Sequence, residues 1–113
     1  MTRFVVTGAS GLLGLNLSLM INQQDEVLGI ANTSPLQGLP FYIQIIDLVC
    51  ENFQKNVLDH FKPDVVIHCA AIANLEECES NPALAYETNA RVPGELALQC
   101  RQKGVKFLHI STD

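Results

Sequence analysis

The chain alternates short, densely apolar runs with longer stretches in which apolar residues recur every three or four positions. Phe4-Val5-Val6 opens the series without a polar side chain, which marks a strand covered on both faces. A helix-length run follows, carrying Leu12, Leu13, Leu15, Leu17, Leu19 and Met20. Residues 26–30 predict a second strand. Residues 31–40, with Asn32, Thr33, Ser34, Pro35, Gly38 and Pro40, predict a loop by their turn chemistry. Residues 41–46 predict a third strand, which ends in Asp47-Leu48. Phe53, Val57, Leu58 and Phe61 fall at helical spacing, so residues 51–61 predict a helix that Pro63 breaks. Residues 64–70 form the most strongly apolar strand of the set. Pro82 suits the first turn of a helix running to about Lys103, with Leu84, Ala85, Thr88, Val92, Leu96 and Cys100 as its buried face. Pro93 lies inside that span and predicts a bend or a shortened hydrogen-bond ladder near Asn89. Gly104 reads as the C-cap, and residues 105–110 as a fifth strand leading into Ser111-Thr112-Asp113.

Strands alternating with helices, two of the strands almost wholly apolar, imply a parallel sheet covered on both faces. Right-handed crossovers then give an α/β, Rossmann-like doubly wound sheet of order 3-2-1-4-5, as one domain over residues 1–113. A ligand crevice is expected above strands one and four, where the order reverses. The turn after strand one reads Thr7-Gly8-x-x-Gly11-x-x-Gly14, a glycine pattern in the strand–turn–helix context that makes it informative. Gly8 can take a positive φ, Gly11 allows close backbone approach and Gly14 lets the helix pack closely. The free amides of the helix's first turn favour an anion, and a pyrophosphate is the natural occupant. No Gly-Lys-Ser/Thr follows, which excludes a Walker loop.

Composition narrows the classes. The 113 residues are 48% apolar and 17% charged, which describes a globular domain with a real core. The net charge of −5, with seven scattered Lys and Arg, argues against nucleic acid. Neither a membrane span nor a secretory signal is legible. Cys50, Cys69, Cys78 and Cys100 form no C-x-x-C pair and no zinc spacing, so a reduced, cytoplasmic setting is the simplest reading. Cys69 reads as a small buried hydrophobe.

In such a fold the strand ends converge on one crevice. The candidates are therefore residues 7–13, 31–34, 47–48, 70–73 and 111–112. Asp47 could accept from an adenine amino group with Leu48 against the ring, although an acid there also suits a helix N-terminus. Ala70 and Ala71 leave room for a ribose. Glu76, Glu77 and Glu79 suit the start of a helix better than a metal. His68 and His109, in strands, read as core or edge residues, and His60 as a cation near a helix end.

Thr7-Gly8-x-x-Gly11-x-x-Gly14, Asp47-Leu48, His68-Cys-Ala-Ala71, Tyr86-x-x-Asn89-Ala90 and His109-Ile-Ser-Thr-Asp113 together resemble the extended short-chain dehydrogenase/reductases, most closely the dTDP-4-dehydrorhamnose reductase (RmlD-like) branch. The resemblance covers essentially the whole chain. It implies a nicotinamide cofactor, NADP or NAD, with Gly8, Ser10, Gly11, Leu12 and Leu13 at the pyrophosphate and Asp47 and Leu48 at the adenine. It implies Ala70, Ala71 and Ile72 beside the ribose and nicotinamide, and Asn89 as the helix asparagine bracing the active-site strand. Thr112 matches the hydroxyl residue that hydrogen-bonds the substrate carbonyl. A nucleotide-sugar substrate is implied for the full-length protein, and a homodimer is allowed. The family's general acid is a Tyr four residues before a Lys. Here Tyr42 is followed at that spacing by Ile46 and Tyr86 by Ala90. The resemblance therefore implies a cofactor-binding fragment that does not catalyse alone, or a non-catalytic regulatory subunit. At the end of strand two, Ala31-Asn32-Thr33-Ser34 offers neither the acid that reads a 2′-hydroxyl nor an Arg for a 2′-phosphate. Its short polar side chains lean towards NADP or dual use.

Overall fold

Val5 and Val6 point to opposite faces of one sheet, and both are fully buried, so the strand that carries them has to sit in the middle of a covered layer. A computed structural model, which describes residues 1–32, 37–69 and 80–110, places it there. The elements are β1 (Arg3–Thr7), α1 (Leu12–Ile21), β2 (Glu26–Ala31), β3 (Tyr42–Ile45), α2 (residues 54–61), β4 (Val65–His68), α3 (residues 82–102) and β5 (Lys106–His109). The five strands run in the order β3-β2-β1-β4-β5. Each pairing is parallel, with Val5 opposite Leu28 on one side and Val66 on the other. The expected topology is the observed one, with strand ends differing by a residue or two.

The two faces have separate cores. Val6, Val27 and Ile67 pack with Leu17 and Ile21 of α1 on one face. Val5, Ile30 and Val66 pack on the other face with Phe53, Val57 and Leu58 around α2 and with Val92, Leu96 and Cys100 of α3. Helix α1 approaches the sheet through its smallest residues: Gly14 and Ser18 are its buried positions. The buried Ser18 hydroxyl is satisfied by donating to the Gly14 carbonyl at 2.7 Å. A Cβ on Gly14 would lie 2.2 Å from the Gly8 carbonyl oxygen. Glycine is the residue that permits this contact.

Helix α3 accommodates Pro93 by widening. Residues Glu87–Arg91 are π-wound, and the Val92 amide reaches back five residues to the Glu87 carbonyl. The turn expected to bend near Asn89 thus absorbs the proline's missing donor and ring by expanding. Of its expected buried face, Ala85, Val92, Leu96 and Cys100 are buried. Leu84 and Thr88 instead look into the cleft described below. Gly104, at φ 72°, follows the helix end as expected. Among the described residues Cys100 is the fully buried cysteine, while Cys69, expected to be buried, is only half-buried because it stands just past the end of β4.

The end of the sheet where β1 begins is closed by polar contacts. The Arg3 guanidinium donates to the Phe61 carbonyl, pairs with Glu26 and stacks 4.1 Å from the Phe61 ring centre. Asp64 accepts from the Arg3 amide at 2.8 Å, and Asp25 from the Thr2 amide at 2.9 Å.

Two glycine variants are expected to move stability in opposite directions. Gly14→Ala pushes a methyl into backbone and is expected to cost about 3 kcal/mol. Gly94→Ala meets nothing within 4 Å and is expected to gain about 1 kcal/mol from helix propensity. Urea unfolding of the two variants beside the parent checks both.

Candidate functional site

All five strands of a parallel sheet end on the same side, and there the chain is open. From Thr7 it enters Gly8 at φ 66°, a left-handed conformation that glycine adopts without strain. The Gly11 amide donates to the Gly8 carbonyl at 3.0 Å, and the Ala9 amide to the Ile30 carbonyl at 3.1 Å. This tight turn starts α1 directly after the central strand. The helix's N-cap, Gly11, is extended and no side chain caps the first turn. The first-turn amides lack intrahelical acceptors by their position and carry the positive end of the helix dipole. They suit an anion.

A cleft of ≈ 490 Å³ opens beside this turn. Gly8 and Ser10 form one wall, and Ile30, Ala31 and Asn32 at the end of β2 continue it. Residues 46–50 after β3 form the rim, His68 closes the β4 side, and Leu84, Thr88 and Val92 of α3 form the roof. Of the residues expected at a cofactor, Gly8, Ser10, Asp47 and Leu48 are brought together here. Gly11, Leu12 and Leu13 stand at the start of α1 outside the cleft wall, with Leu12 84% and Leu13 49% exposed. Asn89 sits in the π-wound turn, half-buried and engaged in an interaction of its own. Ala70, Ala71, Ile72, Cys78, Thr112 and the Glu76, Glu77 and Glu79 cluster lie outside the described residues. No metal-holding group of His, Cys, Asp and Glu occurs among the described residues.

Asp47 plays a local role as well as facing the cleft. Its Oδ1 accepts from the Val49 amide at 3.0 Å, and its own amide donates to Glu51 Oε2 at 2.6 Å. Its carbonyl receives the Glu51 amide at 2.8 Å. The carboxylate thus organises the turn it stands in. Its charge and hydrogen bond, with a smaller effect of burial, raise the Cys50 thiol above its ordinary value, so Cys50 is a protonated, sluggish nucleophile.

His68 is 1% exposed. Its Nδ1 lies 2.7 Å from Thr7 Oγ1, which also accepts from the Cys69 amide at 3.0 Å. Among the described residues Nε2 has no hydrogen-bond partner. Burial, with help from the charge of His109, lowers its pKa to about 4, so the ring is neutral at pH 7. The strand histidine read from sequence as a core residue is therefore also a cleft residue, half satisfied. Its position two residues after Val66 put it on the α2/α3 face at a strand's open end, a signal the sequence did contain. Leu84, Thr88, Val49 and Cys50 were not legible as cleft residues, because the roof depends on how α3 lies across the sheet.

The RmlD substrate-binding-domain family model matches residues 2–113. The chain belongs to that family. It is 38% identical over 111 residues to a dTDP-4-dehydrorhamnose reductase of Streptomyces griseus, covering 98% of this chain and 33% of that protein. It is 33% identical over 108 residues to a probable low-salt glycan biosynthesis reductase of Haloferax volcanii, covering 96% of this chain and 36% of the relative. A hypothetical dTDP-4-dehydrorhamnose reductase structure from Sulfolobus tokodaii superposes with a TM-score of 0.84 at 30% identity, over 96% of this chain and 38% of that one. The NAD complex of Thermus thermophilus UDP-glucose 4-epimerase superposes with a TM-score of 0.80 at 26% identity, over 91% and 35%. The chain spans about a third of the length of these relatives. Among the described residues no helix is long and apolar enough to cross a membrane.

His68 and Cys50, two of the titratable groups at the cleft, give separable expectations. The His68 ring is expected to stay neutral down to about pH 4 in an NMR titration. The unfolded state binds the proton first, so stability is whole above about pH 6.5 and falls, by up to about 3 kcal/mol, as pH drops towards 4. That slope is expected to shrink in His68→Gln. Alkylation of Cys50 by iodoacetamide at pH 8, followed by peptide mass spectrometry, is expected to run slower than for a free thiol and to speed up in Asp47→Asn.

Proposed function

We propose that this chain holds a nicotinamide dinucleotide and forms the cofactor-binding part of a sugar-nucleotide reductase resembling dTDP-4-dehydrorhamnose reductase. The observation that carries the reading is the uncapped first turn of α1, set directly after the central strand beside a cleft that ends at Asp47 and Leu48. The pyrophosphate rests on the amides of the turn, including those of Ser10, Leu12 and Leu13, with Gly11 allowing its approach. Leu48 lies against the adenine, and Asp47, its turn already formed, accepts from the exocyclic amine. Ala70, Ala71 and Ile72 border the ribose and nicotinamide, Asn89 braces the strand they follow, and Thr112 meets the substrate carbonyl. When bound, the nicotinamide supplies the hydride that reduces a keto-sugar; the protein's part is position and polarisation.

Asn32, at the end of β2 and in the cleft wall, supports NADP or dual use, because an amide can donate to a 2′-phosphate while a carboxylate repels it. A second reading is a non-catalytic subunit of the same family that keeps the dinucleotide site. Both readings require cofactor binding. They part on turnover of a dTDP-4-keto sugar by the full-length protein.

Titration with NADPH and NADH, followed by nicotinamide fluorescence, is expected to saturate below millimolar cofactor. No change with either removes both readings for this chain. Asn32→Asp is expected to shift the NADPH-to-NADH dissociation ratio at least tenfold towards NADH.

A further inference from the structure

The rim of the cleft is tied to the roof by one guanidinium. Arg91 ends the π-wound turn of α3, and its Nη2 donates to the Val49 carbonyl at 3.1 Å, across 42 residues of sequence. Its Nε pairs with Glu87 and its Nη1 with Glu95 Oε1 at 2.8 Å, one carboxylate four residues before it and one four after. Exposed pairs at that spacing contribute little by themselves. They do fix the direction of a planar donor fork, so the third donor is aimed and not free to wander. Val49 is consequently held at both ends: its carbonyl by Arg91, its amide by Asp47 Oδ1 at 3.0 Å. Leu48 lies between the two anchored residues. Any loosening at Val49 therefore releases the bond that orients the Asp47 carboxylate.

We propose that Arg91 is a positioning residue for the purine end of the site, acting through the Val49 carbonyl to set Asp47 and Leu48. It is not among the residues lining the cleft, and its action is at one remove. π-wound turns recur at functional positions, and here the widened turn ends on the residue that spans the two elements. The inference rests on the cofactor reading above. It adds that affinity for the base, but not for the phosphates, is controlled from α3.

The test compares two probes by calorimetry: ADP, which engages both the base and phosphate ends, and inorganic pyrophosphate, which engages the glycine turn alone. Arg91→Met keeps the aliphatic stem and removes the donors. It is expected to raise the ADP dissociation constant about tenfold, the loss of one charge-assisted hydrogen bond, while leaving pyrophosphate unchanged. Arg91→Lys keeps the charge and a donor to the glutamates but not the aimed fork. It is expected to lose the same base increment with a thermal midpoint close to that of the parent, which covers the case of a Met variant that folds poorly. Equal ADP affinity in Arg91→Lys and parent overturns the inference alone. Parallel weakening of both probes overturns it too, by making Arg91 a general stability residue. A parent chain that binds neither probe overturns the cofactor reading and the inference with it.

Discussion

Gly14 of α1 lies so close to Gly8 that even a methyl group would collide with the Gly8 carbonyl, and most of the site follows from that contact. It fixes where the helix begins relative to the strand before it. Because Val5 and Val6 are buried on both faces, that strand cannot move to an edge, and the helix start is carried to the centre of the layer. A larger residue at position 14 would lift α1 from the sheet and swing its amides away. The openness of that turn to an anion is therefore a consequence of packing. Among the described residues no Lys or Arg lines the cleft.

The two ends of the sheet show how differently a fold treats structure and site. At the start of β1, Arg3, Glu26, Asp25 and Asp64 satisfy amides, carbonyls and one another. At the finish, the first turn of α1 has no side-chain cap, and one nitrogen of the buried His68 ring lacks a partner among the described residues. Buried polar groups left without partners are costly. His68 Nε2, at the open strand ends, is such a group, and among the described residues it shares that state with Gln99 Oε1 on α3. Asp47 belongs to both worlds, organising its own turn while facing the cleft.

Strand order, the glycine turn and the Asp47-Leu48 rim were legible because each is written locally: apolar runs, glycine spacing, a strand end. The run through Phe4, Val5 and Val6 could only be a strand buried on both faces, and the sheet order followed from connection rules. What escaped depended on contacts between distant elements. Leu84 and Thr88 share helical spacing with Ala85 and Val92, and spacing alone cannot say that two of the four stop short of the core and face the cleft. Nothing in the spacing singles out Arg91, since its partner at Val49 lies 42 residues away. Pro93 signalled a disturbance near Asn89, but a widened turn and a kink leave the same mark in sequence.

The account stands or falls on where a dinucleotide's phosphates rest. Backbone amide shifts recorded by ¹⁵N–¹H NMR during titration with NADPH address this without relying on activity. The largest movements are expected at Gly8, Ser10, Leu12 and Leu13, with smaller ones around Asp47 and Leu48. Movements centred on the opposite end of the sheet, near Arg3 and Asp64, or none at saturating cofactor, would contradict it.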